Sequence, residues 1–343
     1  MKFLRNFQVK GKRVLVRCDF NVPLSEKGEI LDDFRIKETI PTIEYLIKKG
    51  ARVILMSHLG KPGGKVVENL RLDKIQEKLM EYFDLSIVKA PDCIGKEIEN
   101  WIKEMAPGEI LLLENLRFHK EEEENDGNFA KELAKLGDIY INDAFACCHR
   151  AHASIVGIPK YLPSGAGFLL EKEIKFLSKI IKNPVRPLIS IFGGDDPDFK
   201  AIEEISKIAD FVLIGGLIED LMKEKNVRLE FPEKIIKPVD DIEGKDIGPE
   251  TIKIFREKIL SAKTIFWSGP LGKIEEKRFQ RGTKDIAKAV IESGAFSVIG
   301  GGETIEFINK LGLVEKFSHV STGGSALLSY LAGEKLPGIE ALR

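Results

Sequence analysis

The sequence predicts an α/β fold of two lobes, each with a parallel sheet covered by helices on both faces. Its 343 residues exceed what one hydrophobic core ordinarily organises, which favours two domains. In both halves, short and almost continuous apolar runs alternate with segments of helical periodicity, as in sheets buried on both faces. The second half also places glycine pairs after several of these runs, where open α/β sheets bind ligands.

Strands and helices alternate along the whole chain. Isoleucines at 36, 40, 43 and 47 mark one helix face, and further helices are predicted over Leu72–Tyr82 and after Asn128. The predicted strands of the first half are Arg13–Val16, Arg52–Met56, Ser86–Val88, Glu109–Leu113 and Asp138–Ile141. Those of the second half are Leu188–Phe192, Phe211–Ile214, Lys234–Ile236, Thr264–Trp267, Phe296–Ile299 and Phe317–Val320.

The segment 142–173 is predicted to lie beside a hinge. It follows a strand, presents a cluster of histidine and arginine, and passes through a glycine- and proline-rich turn into a helix near the middle of the chain. The helix stripe predicted to be buried consists of Leu170, Ile174, Leu177 and Ile181.

Polar side chains follow the predicted strands of the first half. The carboxyl ends of parallel strands meet at one edge of a sheet, so these side chains are expected to converge. Several arginines and a histidine in one crevice suit a small, multiply charged anion, because guanidinium groups pair bidentately with phosphate or carboxylate. The candidates are Asp19, Asn21, Arg35, His58, Arg117 and Arg150.

Four glycine pairs follow strands of the second half, at 193–194, 215–216, 301–302 and 323–324. Glycine lets the backbone approach a ligand closely, and the helix that follows offers amides to an anion. Neither GxxxxGK[ST] nor an early GxGxxG is present, so the pattern indicates a phosphate-binding crevice of another type. An anion site in one lobe and a phosphate site in the other together suggest phosphoryl transfer, with domain closure excluding water.

Composition narrows the possible partners and the compartment. The 53 basic and 54 acidic side chains leave a net charge of −1, and the basic residues are dispersed, so no nucleic-acid or membrane partner is expected. No signal peptide or membrane-spanning run is recognisable, which predicts a cytoplasmic protein. The four cysteines show no CxxC spacing and are expected to be structural thiols.

Motifs spread over nearly the whole chain resemble the phosphoglycerate kinase family. In the first half they are RVLVRCDFNVPL (13–24), DDFRI (32–36), SHLGKP (57–62), LLLENLRFHKEEEEND (111–126), NDAFACCHRAHAS (142–154) and GAGFLLEKE (165–173). In the second half they are DIGPETI (246–252), FWSGPLG (266–272), SVIGGGET (297–304), FSHVSTGG (317–324) and KLPGIEAL (335–342).

The resemblance implies two Rossmann-like three-layer lobes with parallel sheets, joined by an interdomain helix. Residues 1–164 would form the substrate lobe, with 332–343 packing back near it, and 165–182 the helix. Residues 183–331 would form a condensed nucleotide lobe. The family transfers a phosphoryl group reversibly between 1,3-bisphosphoglycerate and ADP with magnesium, and it is usually monomeric.

The resemblance also assigns expected roles to individual residues. Arg35 would neutralise charge on the transferring group, and Gly302 and Gly324 would lie against it. Binding of 3-phosphoglycerate is expected to involve Asp19, Phe20, Asn21, Arg35, His58, Lys61, Arg117, Arg150 and His152. Nucleotide binding is expected to involve Gly193, Gly194, Lys200, Gly215, Glu275, Gly301, Gly302, Glu303 and Thr304, with Glu303 near the magnesium.

The nucleotide half departs from the family pattern. Asp196 stands where the family has a phosphate-binding lysine, and Lys200 is the only cation nearby. Glu303 replaces an aspartate, and the segment between Gly216 and Asp246 is shorter than in the family. In the substrate half, Lys61 replaces an arginine. Three functions remain open at this point: a compact working kinase, a non-catalytic relative that binds 3-phosphoglycerate or a partner, and a kinase with an altered donor or a metal bound by the acidic loop 195–198.

Overall fold

The computed structural model describes all residues from Met1 to Arg343. The chain divides into two compact units, the first comprising Met1–Lys172 with Lys335–Arg343 and the second Glu173–Glu334. The predicted α/β fold with two parallel-sheet lobes is confirmed, since each unit is built on its own six-stranded sheet. No helix is both long enough and apolar enough to cross a membrane.

The sheet of the first unit is parallel throughout. Its strands are β1 (Arg13–Arg17), β2 (Arg52–Met56), β3 (Val88–Lys89), β4 (Ile110–Leu112), β5 (Ile139–Asn142) and β6 (Ser164–Ala166). They lie in the order β3-β4-β2-β1-β5-β6. The helices are α1 (Phe34–Lys48), α2 (Asp73–Phe83), α3 (Lys96–Glu104), α4 (Lys120–Glu123) and α5 (Gly127–Lys135). A further helix, α6 (Phe168–Lys182), begins in the first unit and continues into the second.

The second unit repeats this architecture. Its strands are β7 (Leu188–Phe192), β8 (Phe211–Ile214), β9 (Ile235–Ile236), β10 (Asp241–Ile242), β11 (Asp246–Ile247), β12 (Thr264–Ser268), β13 (Phe296–Gly300) and β14 (His319–Val320). The parallel sheet has the order β14-β13-β12-β7-β8-β9, and β10 and β11 form a separate antiparallel ribbon. The helices are α7 (Phe199–Ile208), α8 (Gly216–Glu224), α9 (Pro249–Ser261), α10 (Arg281–Ser293), α11 (Gly302–Lys310) and α12 (Ser325–Leu331). The chain ends with α13 (Pro337–Glu340), which belongs to the first unit.

Strands inside the sheets lie within one residue of the predicted bounds, and two of the edge strands do not. The predicted spans of β2, β7 and β8 are the observed ones. The prediction over Ser86–Val88 was wrong at both ends, because β3 is an edge strand of two residues. The prediction over Phe317–Val320 was too long for the same reason, since only His319 and Val320 pair with β13.

The helix α6 buries a different stripe from the predicted one. Leu170 and Leu177 are buried as expected, but Ile174 and Ile181 are only partly covered, while Ile180 is buried. Glu173 is buried as well, because its carboxylate accepts hydrogen bonds from the Thr322 amide at 2.7 Å and the Thr322 hydroxyl at 3.0 Å. It also lies 2.8 Å from Nε2 of His319. The buried stripe of α6 therefore lies one residue earlier than predicted at two positions, with Glu173 in place of Ile174 and Ile180 in place of Ile181.

A buried carboxylate fixes the start of α6. Oδ1 of Asp143 accepts hydrogen bonds from the amides of Leu169 at 2.9 Å and Leu170 at 3.2 Å, so it satisfies two of the amides that a helix N-terminus leaves unpaired. A Cβ on Gly167 would lie 2.2 Å from this oxygen, so only glycine fits there. Burial raises the pKa of Asp143 to about 7.

Replacing Asp143 by asparagine is expected to change how stability depends on pH. The folded pKa of about 7 lies above the unfolded value of about 3.9, so the contribution of this carboxyl is full below pH ~4 and lost as pH rises through 7. Relative to the unmodified protein, Asp143→Asn should therefore gain about 4 kcal/mol of unfolding free energy between pH 4 and pH 8, because the two pKa values differ by about 3 units and each unit is worth ~1.4 kcal/mol. Chemical denaturation at a series of pH values measures this gain.

The matched control is Asp138→Asn. Arg13 beside Asp138 lowers the pKa of that carboxyl, so its contribution is present above the unfolded pKa and lost on acidification. The control should therefore show the opposite sign, losing stability relative to the unmodified protein as pH rises from 3 to 6. Parallel curves for Asp143→Asn and the unmodified protein would show that Asp143 titrates normally.

Candidate functional site

In the first unit, the predicted anion-binding side chains follow four adjacent strands. Asp19 and Asn21 come after β1, His58 after β2, Arg117 after β4, and Arg150 after β5. These strands are neighbours in the order β4-β2-β1-β5, so their carboxyl ends meet at one edge of the sheet. The convergence that the sequence predicts is therefore a direct result of the strand order.

A chain of hydrogen bonds connects three of these loops with α1. Nη1 of Arg35, in the first turn of α1, donates to Oδ2 of Asp19 at 2.8 Å and to the carbonyl of Asn21 at 3.2 Å. Oδ1 of Asn21 accepts the amide of Gly60 at 2.8 Å, and the carbonyl of Gly60 accepts from Nη1 of Arg117 at 2.8 Å. Arg35 and Arg117 are thus held in fixed orientations without a ligand.

The electrostatics of this cluster favour an anion. Burial lowers the pKa of His58 well below its usual range, and the nearby charges of Arg17, Arg117, Arg150 and Arg35 lower it further. Burial and the nearby charges of Arg117, Arg17 and Arg150 lower the pKa of His152 to about 3. Both imidazoles are therefore neutral near pH 7, which leaves the guanidinium groups as the positive charges of the site. A bound phosphate or carboxylate would relieve their mutual repulsion.

The structure adds Arg17 to the predicted set. This fully buried arginine donates to Oγ of Ser154 at 2.9 Å and lies 3.3 Å from Nδ1 of His58. Since a guanidinium can only donate, the lone pair of Nδ1 faces Arg17 and the ring proton is on Nε2. Oε1 of the buried Glu122 lies 4.0 Å away and balances the charge of Arg17. The only sequence signal for Arg17 is an arginine that closes the apolar strand RVLVR.

The remaining predicted side chains of the first unit range from the buried core to the exposed surface. Phe20 is buried in the core, and its amide donates to Oγ of Ser57 at 2.9 Å, so a direct contact between its side chain and a ligand stays a prediction. Lys61 is exposed. Nε of Arg150 lies 3.0 Å from Nε2 of His149, and Nδ1 of His152 lies 3.8 Å from Glu122.

In the second unit, the loops after β7 and β12 pack backbone against backbone. The amide of Gly193 donates to the carbonyl of Ser268 at 2.9 Å, and that of Gly194 to the carbonyl of Pro270 at 2.8 Å. A Cβ on Gly193 would lie 2.0 Å from the carbonyl oxygen of Pro270, and one on Gly269 would lie 2.0 Å from that of Gly193. Only glycine fits at either position. Gly269 was not among the predicted site residues, because its partner is distant in sequence.

The loops after β8 and β13 adjoin the same surface. A Cβ on Gly215 would lie 3.6 Å from Cα of Gly193. A Cβ on Gly301, whose φ is +87°, would lie 3.2 Å from the amide nitrogen of Gly269. Four of the strand-end loops of this sheet thus pack together largely through their backbone, with the side chains of Leu271, Ser268 and Thr304 nearest to Gly215 and Gly301. Glycine at these positions lets a ligand approach the backbone closely.

The N-terminus of α11 carries two features that suit a phosphate with a bound cation. Oγ1 of Thr304 is buried and has no hydrogen-bond partner, and Gly302 has open space where a Cβ would be. The pKa of Glu303 is raised by burial and by the nearby carboxylates of Asp195 and Glu275, which indicates a local excess of negative charge. Helix amides and an unpaired hydroxyl fit phosphate oxygens, and the carboxylates fit magnesium.

The acidic loop after β7 is only partly free to contact a ligand. Asp195 and Asp196 are exposed, whereas Oδ1 of Asp198 caps α7 by accepting the amide of Ala201 at 3.0 Å. Lys200, in the first turn of α7, pairs with Glu334 at 2.5 Å. This pair is exposed and contributes little stability, so Lys200 could exchange Glu334 for a phosphate.

Two cavities open on the second unit. One of about 220 Å³ is lined by Gly216, Leu217, Val239 and Leu271, among others. The other, of about 500 Å³, is lined by residues that include Glu275, Glu303 and Phe307. Both adjoin the glycine loops or the start of α11, and the larger has the volume of an ordinary small-molecule site.

Comparison with known proteins gives a consistent result. The family model described as phosphoglycerate kinase matches residues 4–230 and 220–334. A phosphoglycerate kinase from Dictyoglomus turgidum is 44% identical over 388 aligned positions, which cover 99% of this chain and 98% of that protein. One from Chlorobium phaeobacteroides is 43% identical, with 99% of both chains covered. These alignments are longer than the 343 residues of this chain, so the relatives contain segments that it lacks.

Solved structures agree with the sequence matches. The phosphoglycerate kinase from Pyrococcus horikoshii superposes with a TM-score of 0.90 at 34% identity, covering 100% of this chain and 98% of that one. The phosphoglycerate kinase from Coxiella burnetii gives a TM-score of 0.83 at 31% identity, with 99% and 98% covered. The similarity therefore extends over both units and not over one sheet alone.

Proposed function

This chain belongs to the phosphoglycerate kinase family, and from that premise we propose which of its residues carry the reaction. It is a phosphotransferase of small molecules that transfers a phosphoryl group reversibly between 1,3-bisphosphoglycerate and ADP. The non-catalytic alternative is not favoured, because the similarity runs through the nucleotide half as well as the substrate half.

The first unit is proposed to bind 3-phosphoglycerate. The observation that carries this assignment is the cluster of Arg35, Arg117 and Arg150 around a buried, neutral His58. Fixed guanidinium groups suit a ligand with a phosphate at one end and a carboxylate at the other. The same assignment extends to Asp19, Phe20, Asn21, Lys61 and His152, which lie on the same loops.

The second unit is proposed to bind ADP and ATP. The adjoining loops of Gly193, Gly194, Gly215 and Gly301 support the assignment, because glycine lets the nucleotide approach their backbone closely. Lys200 would contact the phosphates after leaving Glu334, and Glu275 would contact the ribose. The amide of Gly302 and the hydroxyl of Thr304 would donate to a terminal phosphate.

Magnesium is proposed as the ion that accompanies the nucleotide. Glu303 would hold it, and the neighbouring charge of Asp195 supports this because two close carboxylates are stabilised by a cation. When bound, magnesium neutralises part of the charge on the phosphate oxygens.

Transfer is proposed to depend on positioning and charge and not on a covalent enzyme intermediate. Arg35 would stabilise the charge of the transferring phosphoryl group, and its hydrogen bonds to Asp19 and Asn21 fix its direction beforehand. Gly302 and Gly324 would let backbone approach that group, since a Cβ at either position would point into open space. Buried His58 is neutral and would donate a hydrogen bond from Nε2 to a substrate oxygen.

The compartment, the oligomeric state and the partners of the protein are further proposals. We place it in the cytoplasm because its substrates are small molecules of central metabolism, and we expect a monomer because that is usual in the family. A net charge of only −1 gives no general attraction to nucleic acid, so no such partner is proposed. The four cysteines are free and buried, which suits a reducing compartment.

Calorimetric titration with ADP, in the presence and absence of magnesium, tests the assignment of the second unit. The proposal predicts saturable binding at one site that is strengthened by magnesium. It also predicts that Glu303→Gln removes most of the magnesium effect while leaving the weaker binding of free ADP in place. The proposal fails if ADP does not bind, or if magnesium has no influence on the unmodified protein.

Replacing Asp196 by lysine is expected to strengthen nucleotide binding by about tenfold, since it exchanges an exposed carboxylate beside the phosphates for a cation. The dissociation constant of magnesium–ADP measures the effect. Glu292→Lys is the matched control, because it makes the same charge change at the C-terminal end of α10, which lies at the opposite edge of the sheet. Equal affinities for both variants would show that Asp196 does not face the phosphates.

A further inference from the structure

A cluster of three metal-binding residue types lies on the first unit, outside the substrate site. Asp92 and Cys93 occupy the loop between β3 and α3, and His119 lies between β4 and α4. The strands β3 and β4 are parallel neighbours, so the loops that follow them run side by side. The amide of Ala90 donates to the carbonyl of Leu112 at 2.8 Å and holds the two segments together.

The donor atoms of the three side chains are close together. One ligand atom from each of Asp92, Cys93 and His119 lies within 4.8 Å of the other two. A tetrahedral ion with bonds of about 2.0–2.3 Å needs donor atoms roughly 3.3–3.8 Å apart, so small side-chain rotations suffice. Nε2 of His119 now lies 2.6 Å from Oδ1 of Asp92, and these two would move apart to admit the ion.

Burial divides the cluster into an inner and an outer side. The thiol of Cys93 is fully buried, whereas the side chains of His119 and Asp92 are 26% and 48% exposed. An ion could therefore enter from the solvent side, bind the thiolate beneath it, and keep one position for water. The ring of His119 packs against Phe129 with centroids 5.2 Å apart, which limits its rotation and leaves the ligand set oriented.

The chemistry of the three donors selects a class of ion. One thiolate, one imidazole and one carboxylate match the borderline ions, zinc above all, and do not match magnesium or calcium, which prefer oxygen alone. The carboxylate of Glu121, in the first turn of α4, lies near His119 and adds to the attraction for a cation.

We propose that Asp92, Cys93 and His119 form a binding site for a divalent transition-metal ion of the zinc class, with a fourth position open to water. Binding forms a metal–sulfur bond, and the proton of the Cys93 thiol leaves to the solvent. The hydrogen bond between Nε2 of His119 and Asp92 is replaced by two metal bonds. The proton on Nε2 leaves, to the solvent when the ring is charged and to Nδ1 when the ring is neutral, so that Nδ1 carries the remaining N–H. The ion would tie the loop before α3 to the segment that carries Arg117, two residues before His119.

Cobalt(II) titration of the chelator-treated full-length protein tests this site. Cobalt replaces zinc in such sites and absorbs in the near ultraviolet only when it is bound to sulfur, so the signal reports on a thiolate ligand. The proposal predicts one equivalent of cobalt with this absorption, loss of the absorption when zinc is added, and release of at least one proton per ion. Cys93→Ser should abolish the sulfur absorption.

Two further variants separate this site from the alternatives. His119→Gln alters a partly exposed ring and should weaken cobalt binding at least about a hundredfold while circular dichroism stays unchanged. Cys147→Ser is the matched control, because Asp19, His58 and Cys147 form the other group of suitable donors in the protein, and it should retain the absorption. The proposal is overturned if the unmodified protein shows no sulfur absorption, if the absorption survives Cys93→Ser, or if Cys147→Ser removes it. These results do not depend on kinase activity.

Discussion

Arg35→Ala is expected to lower kcat by about a thousandfold, because it removes the positive charge that faces the transferring phosphoryl group. The side chain of Arg35 is 28% exposed, so the loss of folding stability should be small. The substitution leaves the buried carboxylate of Asp19 without Arg35, but the positive charge of Arg17 remains nearby. Turnover in a coupled assay and the midpoint of thermal unfolding measure the two effects separately.

Arg13→Ala is the matched control for this prediction. Arg13 is 30% exposed and pairs with Asp138 at 2.6 Å, but it stands at the first residue of β1, at the sheet edge opposite the site. This variant should lose as much stability as Arg35→Ala or more, and keep its turnover. If Arg35→Ala instead unfolds at a much lower temperature than Arg13→Ala, or turns over normally, the role given to Arg35 is wrong.

Gly193→Ala is expected to destabilise the second unit by about 3 kcal/mol or more and to abolish nucleotide binding. A Cβ at this position would lie 2.0 Å from the carbonyl oxygen of Pro270, and the obstacle is backbone, which cannot rotate away. The loops after β7 and β12 would have to separate, and the surface proposed for the nucleotide would be lost. Thermal unfolding and ADP titration of the same sample measure both effects.

Gly216→Ala is the control for the stability effect. Gly216 is the first residue of α8, its φ is not positive, and a Cβ there would meet no atom within 4 Å. Alanine should therefore leave stability unchanged or raise it by a few tenths of a kcal/mol. Equal stability of Gly193→Ala and Gly216→Ala would contradict the close packing of the two loops.

The sequence predicts the central strands closely because these strands are buried on both faces. The strand β7 is buried at all five residues, so an unbroken apolar run marks its ends. The edge strand β3 has an exposed Val88 and only one paired neighbour, so its ends depend on partners that periodicity does not reveal. In α6, Glu173 is buried by His319 and Thr322, nearly 150 positions away, and no local pattern predicts such a contact.

The candidate site likewise contains residues that the sequence predicts and residues that it does not. The charged residues that follow strands, such as Arg117 and Arg150, could be predicted because strand order brings all carboxyl ends to one edge. Arg17 could not, since a buried arginine needs partners such as Ser154 and Glu122 that lie more than a hundred positions away. The role of Gly269 likewise becomes visible only when the Gly193 loop lies against it.

The central claim is that this shortened chain is a working phosphoglycerate kinase despite the acidic loop at Asp195 and Asp196. The most direct measurement is steady-state turnover of the purified protein with 3-phosphoglycerate, ATP and magnesium, followed through a coupling enzyme that consumes the acyl phosphate. We predict saturable turnover that depends on all three components and is lost in Arg35→Ala. Absence of turnover at high enzyme concentration, in protein that is folded by circular dichroism, would contradict the claim.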